Sequence, residues 1–98
     1  MWSVILTNEA EKELRSGLKH GHFSQEDIMI LKAWTLFIEY YGPLALERDY
    51  KWDDHPLWGK WHGCRSSCIS NSGRIIYKVI EHEIVILVLR VTNSHNYK

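Results

Sequence analysis

The sequence predicts an α+β domain with the order strand, helix, helix, strand, strand, strand. Apolar residues recur every three or four positions through much of the first half of the chain. Short apolar runs separated by polar or glycine-bearing spacers fill the last third. Of the 98 residues, 45% are hydrophobic and 24% are charged, a mixture typical of globular proteins. We therefore expect residues 1–98 to form one domain with a single core.

The first strand and the first helix are predicted from the opening residues. The run 2–6 is rich in strand-forming side chains, and Thr7 or Asn8 then offers an oxygen that can cap a helix. The apolar residues that follow recur at four-residue spacing, at Ala10, Leu14 and Leu18. A stripe this narrow predicts a helix that is mostly exposed to solvent.

The second helix is predicted to carry most of the core. Ser24, followed three residues later by Asp27, has the spacing of a capping box at a helix start. Gly42-Pro43 ends the pattern, because proline lacks an amide hydrogen and restricts the residue before it. The apolar stripe between these limits is wide and includes Ile28, Leu31, Trp34, Ile38 and Tyr41.

Residues 44–61 show no regular period and contain three tryptophans, Trp52, Trp58 and Trp61. We expect an ordered loop, because large aromatic rings are costly to leave in water. No strand or helix is predicted within it.

Three strand-like runs follow, at residues 64–70, 74–80 and 84–91. The short spacers between them are typical of antiparallel hairpins. The last run is apolar at almost every position, so we expect a central strand covered on both faces. The middle run alternates, which predicts that it exposes Arg74, Ile76 or Lys78 on one side.

The charges are unevenly distributed along a chain whose net charge is zero. Residues 1–50 hold five cations and eight acids, whereas residues 51–98 hold seven cations and four acids. No acid occurs from His55 through Ile80, a stretch that contains Lys60, Arg65, Arg74 and Lys78. This pattern predicts either a local anion-binding surface or a plain solvated basic face.

Several other classes of protein are not favoured by the sequence. No apolar run is long enough to span a membrane, and the first residues do not resemble a signal peptide, so we expect a cytoplasmic protein. Cys64 and Cys68 lie four apart, which is not a metal-knuckle spacing, and they are expected to be ordinary thiols. The histidines show no metal-binding motif, so neither a metal nor another cofactor is expected.

Taken in order, five segments resemble the RelE/ParE superfamily of toxins from type II toxin–antitoxin operons. The segments are WSVILTNEAEKEL, DHPLWGKWHGCRS, GRIIYKVI, IVILVLRV and SHNYK, and the second and third are especially similar to the YafQ-like branch. The resemblance implies a RelE-like microbial-RNase fold, in which a two-helix hairpin packs on a small, curved, mostly antiparallel sheet.

The same resemblance implies a ribosome-dependent messenger-RNA endoribonuclease (an mRNA interferase) that inhibits translation. In that metal-independent reaction, the 2′-hydroxyl of the RNA attacks the adjacent phosphate. The implied partners are a cognate antitoxin protein, the ribosome and its message, with operator DNA reached only through the antitoxin and no contact with a membrane.

The resemblance also implies site residues, which we assign where this sequence matches the motifs of the family. The histidine of the DHPL motif is His55, the arginine that opens the GRIIY strand is Arg74, and the carboxyl-terminal pair is His95 and Tyr97. These four are the expected catalytic residues, because the reaction needs a base, an acid and a cation beside the phosphate. The expected RNA-binding residues are Lys60, Arg65, Lys78 and Arg90.

The sequence also departs from the YafQ-like pattern. Cys68 and Ser72 stand where related chains carry a histidine and an aspartate. Two other functions therefore stay open: a ParE-like inhibitor of DNA gyrase that acts by protein binding alone, and a decayed toxin that only binds its antitoxin. His55 and Arg74 also have plain structural alternatives, since His55 could only cap a turn and Arg74 could simply be solvated.

Overall fold

The structure is a computed structural model that describes residues 1–93. It is α+β, with three helices packed on one five-stranded sheet. The helices are α1 (Asn8–Lys19), α2 (Gln25–Tyr41) and α3 (Pro43–Arg48). The strands are β1 (Ser3–Leu6), β2 (His55–Pro56), β3 (Arg65–Cys68), β4 (Arg74–Ile80) and β5 (Val85–Thr92). None of the described helices is both long and apolar enough to cross a membrane.

The sheet has the strand order β1-β5-β4-β3-β2. Strands β2 to β5 pair antiparallel with their neighbours, and β1 adds to the edge as a parallel partner of β5. The mostly antiparallel sheet is therefore confirmed. The prediction of a central strand covered on both faces is correct for β5 only in part, because β5 lies inside the sheet between β1 and β4 but is fully buried only at Ile86, Val88 and Val91.

The core lies between α2 and one face of the sheet. Trp34 and Ile38 of α2 are fully buried, and the indole of Trp34 meets the ring of Tyr77 edge-on at a centroid distance of 5.4 Å. The sheet contributes Ile75, Ile86, Val88 and Val91. The predicted core stripe of α2 is correct at Leu31, Trp34 and Ile38 but wrong at Tyr41, whose side chain is 64% exposed.

Both long helices begin at side-chain caps. Thr7, rather than Asn8, caps α1, because its hydroxyl accepts a hydrogen bond from the amide of Ala10 at 3.1 Å. Ser24 and Asp27 form the predicted capping box of α2, in which each side chain bonds to the other residue's amide.

The expectation of a loop without regular elements at residues 44–61 is wrong in part. Pro43 begins the short helix α3, since the fixed φ angle of proline suits the first position of a helix. The segment also contains strand β2 and two single helical turns. Of its tryptophans, Trp52 is buried as expected, whereas Trp58 is 73% exposed and stacks on the imidazole of His62.

The predicted exposure of strand β4 also needs correction. Lys78 is exposed, but Ile76 is fully buried and only 8% of Arg74 is exposed. Residues 57–64 fold over this part of the sheet, and Leu57 and Cys64 pack against Ile76. The alternation correctly placed Arg74, Ile76 and Lys78 on one side of the strand. It could not reveal that a loop distant in sequence covers part of that side.

Gly17 in α1 gives a stability prediction, because a methyl group there would collide with the ring of Phe23. An exposed glycine-to-alanine change inside a helix usually stabilises it by about 1 kcal/mol. Here we expect Gly17→Ala to lower the free energy of unfolding by roughly 1–3 kcal/mol, as overpacking does. Urea denaturation would measure it, with the exposed neighbour Ser16→Ala as control, and a Gly17→Ala chain as stable as the parent would contradict the packing.

Candidate active site

Two of the four residues predicted for catalysis, His55 and Arg74, lie on the face of the sheet opposite α2. Strand pairing places His55 opposite Ser66 and Cys68 opposite Arg74, and paired residues of antiparallel strands point to the same side. Ile76 pairs with Ser66 on this same side. We call this surface the distal face and define it by His55, Ser66, Cys68, Arg74 and Ile76.

Asp53 joins the two predicted catalytic residues of the distal face. Its backbone carbonyl lies 2.9 Å from Nδ1 of His55, and its carboxylate lies 3.3 Å from Nη1 of Arg74. Asp53 has a φ angle of +46°, in the left-handed region, which aspartate tolerates better than most residues. One residue in a tight turn thus contacts both the imidazole and the guanidinium.

The contact with Asp53 also fixes which nitrogen of His55 can act as a base. A carbonyl oxygen only accepts hydrogen bonds, so Nδ1 must carry the hydrogen and donate it. In the neutral ring, Nε2 then has a free lone pair. An imidazole in this state can remove a proton from a hydroxyl group near neutral pH.

Two buried polar groups of the distal face have no hydrogen-bond partner within residues 1–93. They are Nε of Arg74 and the hydroxyl oxygen of Ser66. Buried polar atoms are nearly always paired, since an unpaired one costs roughly 1–3 kcal/mol. Arg74 thus keeps a donor, Nε, beyond the one that faces Asp53, and this donor lies beneath the surface of the distal face.

Asp54, the residue before His55, anchors this region from the opposite side of the sheet. Its buried carboxylate accepts hydrogen bonds from Nε of Arg65 at 2.6 Å, from the hydroxyl of Ser67 at 2.5 Å and from the hydroxyl of Tyr77 at 2.6 Å. These donors come from β3 and β4. The turn that carries His55 is therefore fixed to two neighbouring strands.

The surroundings of Asp54 alter the pKa values of its partners. Burial raises the pKa of Tyr77 well above its ordinary value, and the negative charge of Asp54 raises it further. Burial acts to lower the pKa of Arg65, but the hydrogen bond to Asp54 and the charges of Asp54 and Glu47 outweigh it, so the pKa is raised. Tyr77 therefore stays neutral and Arg65 stays charged.

The four predicted RNA-binding cations are placed differently from one another. Lys78 is exposed on β4, and the ammonium group of Lys60 lies 5.8 Å from the ring centre of Trp61. Arg65 points to the helix side of the sheet, where it binds Asp54 and lies 3.4 Å from Glu47. The structure thus does not bring Arg65 together with His55 and Arg74.

Arg90 contacts acids of α1. Its guanidinium makes two hydrogen bonds to Glu13, at 2.8 and 2.7 Å, and lies 3.5 Å from Glu9. The bond to Glu13 raises the pKa of Arg90, although burial opposes this. With Lys60, Trp61 and Leu89, Arg90 also lines a pocket of about 310 Å³.

His95 and Tyr97 lie outside the described residues, so their expected roles stay predictions. The sequence reasoning also missed Asp53, Asp54 and Ser66. One signal was present: the paired acids of DDHP stand immediately before the long acid-free stretch, so they are the nearest acids in the chain to Lys60 and Arg65.

Cys64 and Cys68 are free thiols. The thiol of Cys68 donates to the carbonyl oxygen of Ser70 at 2.8 Å, and burial raises the pKa of Cys64 while the nearby charge of Lys78 opposes this. Within residues 1–93, no three histidine, cysteine or acidic side chains come together to hold a metal ion.

Comparison with solved structures shows close similarity of fold. A copper-bound mutant toxin from Helicobacter pylori superposes with a TM-score of 0.76 and 26% identity, over 97% of this chain and 96% of that one. YafQ from E. coli gives a TM-score of 0.69 at 19% identity, over 93% and 91% of the chains. The E. coli DinJ–YafQ toxin–antitoxin complex gives 0.66 at 23% identity, over 92% and 89%. No family model and no curated protein matches the sequence.

We predict that the buried carboxylate of Asp54 is needed for stability. Asp54→Asn removes the charge that faces Arg65 and places an amide donor among three donors. We therefore expect the free energy of unfolding to fall by roughly 2–4 kcal/mol. Urea denaturation of both variants would test this, with Asp53→Asn as the matched control. Asparagine tolerates the left-handed turn, and the Asp53 carboxylate is mostly exposed, so the control should lose less than about 1 kcal/mol. Equal losses in the two variants would contradict the role given to Asp54.

Proposed function

We propose that this chain is a RelE/YafQ-like toxin of the toxin–antitoxin kind and that it acts as a metal-independent endoribonuclease that cuts messenger RNA on the ribosome. The observation that carries the proposal is the shared contact of His55 and Arg74 with Asp53. It brings a proton acceptor and a fixed cation to one face of the sheet. Cleavage of RNA by its own 2′-hydroxyl requires both groups.

In the proposed reaction, Nε2 of His55 removes the proton from the 2′-hydroxyl of the nucleotide before the cut. The oxygen attacks the adjacent phosphorus, and the bond from phosphorus to the 5′-oxygen of the next nucleotide breaks. The products are a 2′,3′-cyclic phosphate and a free 5′-hydroxyl. Arg74 offsets the negative charge that develops on the phosphoryl oxygens, since its planar fork of donors suits them.

A proton must also reach the departing 5′-oxygen. We assign this step to the carboxyl-terminal pair His95 and Tyr97 by their resemblance to the family. Cys68 and Ser72, which replace the histidine and aspartate of YafQ-like chains, are weaker candidates. The thiol of Cys68 already donates to the carbonyl of Ser70.

The surrounding cations give the site its affinity for RNA in this proposal. Lys60 and Lys78 are exposed and can approach phosphates as point charges. Arg90, which is bound to Glu13, and Arg65, which is bound to Asp54, would contact RNA only with donors that these acids leave available. We therefore rank Lys60 and Lys78 above the two arginines.

The proposed partners follow from the same role. DinJ and YafQ form a toxin–antitoxin complex, and we propose that an antitoxin protein likewise holds this chain inactive. Contact with operator DNA would then pass through the antitoxin. The proposed place of action is the ribosome in the cytoplasm, where the message is exposed.

We predict that His55→Ala abolishes cleavage without unfolding the chain. Purified protein would be added to translating ribosomes that carry a defined message, and the cuts would be mapped by primer extension. Loss of the base should lower the cleavage rate by about 10²–10⁴-fold. The matched control is His62→Ala, since His62 is an exposed imidazole in the next loop and should leave the rate within about twofold.

The alternatives give different results in this assay. Wild-type activity in His55→Ala would remove His55 from the mechanism. Intact message together with blocked DNA supercoiling would indicate a gyrase inhibitor. Intact message, normal supercoiling and unimpaired growth on strong expression would indicate a chain that only binds its antitoxin.

For Arg74 we predict a loss in the chemical step rather than in binding. Arg74→Lys keeps the positive charge but removes the planar fork, so the single-turnover cleavage rate should fall about 10- to 100-fold while ribosome binding is retained. Arg15→Lys is the control, because Arg15 lies exposed on α1. Unchanged cleavage in Arg74→Lys, or a loss of ribosome binding that accounts for the whole effect, would contradict this assignment.

A further inference from the structure

Helix α2 carries a second apolar stripe on the side that faces away from the sheet. Its members are Met29, Ala33, Leu36 and Tyr40, which we call the outer stripe. The exposed fractions are 70% for Met29, 67% for Leu36 and 71% for Tyr40, and Ala33 is also exposed. The inner residues Leu31, Trp34 and Ile38 already fill the core, whereas the outer stripe lies at its margin, where Leu36 borders an apolar groove and the ring of Tyr40 contacts that of Tyr41.

The spacing of the outer stripe is that of a helix–helix seam. Intervals of four, three and four residues place the side chains in one line along an α-helix, as in the a and d positions of a heptad repeat. Globular proteins usually put charged residues on such an exposed face. A line of large apolar side chains there is a feature of surfaces that bind another protein.

The charges beside the stripe specify the geometry. Lys32 and Glu39 lie seven residues apart on the same flank of α2, in the positions that form ion pairs across a seam. If two copies of α2 pack antiparallel about a two-fold axis near residues 34–35, Lys32 of each copy faces Glu39 of the other. In a parallel arrangement, Lys32 would instead face Phe37. The stripe is therefore self-complementary in one orientation.

We propose that the outer stripe of α2 binds a second copy of this chain and forms a two-fold symmetric, antiparallel homodimer. In this arrangement Met29 packs against Tyr40 and Ala33 against Leu36 of the second copy. The axis passes through the middle of α2, so the helices overlap along most of their length. The distal face lies on the other side of the sheet and stays open in both copies.

The area of the outer stripe indicates a weak dimer. The exposed side chains present on the order of 400 Å² per copy, compared with about 800 Å² per partner in standard protein interfaces. We therefore expect dissociation constants of roughly 10–100 µM. The ion pairs at the rim add orientation more than affinity.

Analytical ultracentrifugation of the purified full chain, from about 5 to 500 µM, tests the proposal. The weight-average mass should rise from that of one chain toward that of two. Leu36→Glu, at an exposed position that the monomer tolerates, should abolish the rise. Lys12→Glu changes an exposed charge on α1 and is the control that should leave dimerisation unchanged.

A charge swap tests the orientation. Lys32→Glu alone and Glu39→Lys alone each place like charges face to face and should weaken the dimer at least about fivefold. The double variant restores opposite charges at both contacts and should return the dissociation constant to within about twofold of the parent. A parallel dimer or an unrelated interface would not show this rescue.

Three outcomes would overturn the proposal. The first is a chain that stays monomeric up to 500 µM. The second is a dimer that survives Leu36→Glu. The third is a dimer in which the double charge swap is no better than the single changes. If a monomeric chain loses antitoxin binding in Leu36→Glu, the stripe serves the antitoxin, and the homodimer is wrong.

Discussion

The hydrogen bonds to the buried carboxylate of Asp54 are the interactions on which the arrangement of the distal face depends. The carboxylate receives hydrogen bonds from Arg65, Ser67 and Tyr77, which belong to the adjacent strands β3 and β4. A carboxylate buried without such partners would cost several kcal/mol, so β2 stays docked only while these bonds are formed. Because Asp54 is held in place, its immediate neighbours in the chain, Asp53 and His55, are held in place as well. The position of the proposed catalytic residue His55 is therefore set by a residue that itself points to the opposite side of the sheet.

The residues that stabilise this region and the proposed catalytic residues therefore lie on opposite faces of the sheet. On the helix side, Asp54 accepts three hydrogen bonds and the indole of Trp34 packs on Tyr77, although the indole nitrogens of Trp34 and Trp52 have no partner within residues 1–93. On the distal side, polar atoms of Ser66 and Arg74 lack partners within residues 1–93. Unsatisfied groups are tolerable there because the anchored side holds the strands in place. Sites that bind anions commonly keep such a reserve of unused donors.

The order of elements was predictable from the sequence because it depends on local pattern. Periodicity identified α2, the Ser24–Asp27 spacing identified its start, and the spacer glycine identified the turn before β4. The short helix α3 was not predictable in this way, because six residues are too few to establish a period. The burial of Ile76 depends on a loop more than ten residues away and is invisible in the alternation of β4.

Only part of the candidate site could be predicted from the sequence, because the rest depends on contacts between residues distant in the chain. His55 and Arg74 were found through resemblance to a family, and the structure places both on the distal face. Asp54 was missed because its partners lie 11 to 23 residues away in the chain, and burial of an acid cannot be read from its neighbours. The same limit hid the ion pairs of Arg65 with Glu47 and of Arg90 with Glu13.

The pairing of β1 with β5 has a consequence for how the chain is made. The first strand finds its partner only in residues 85–88, so the sheet edge cannot form until nearly all of these 93 residues have left the exit tunnel. Contacts this distant in sequence form late in folding. The strand that opens the chain therefore waits, without a partner, for a segment more than eighty residues further on.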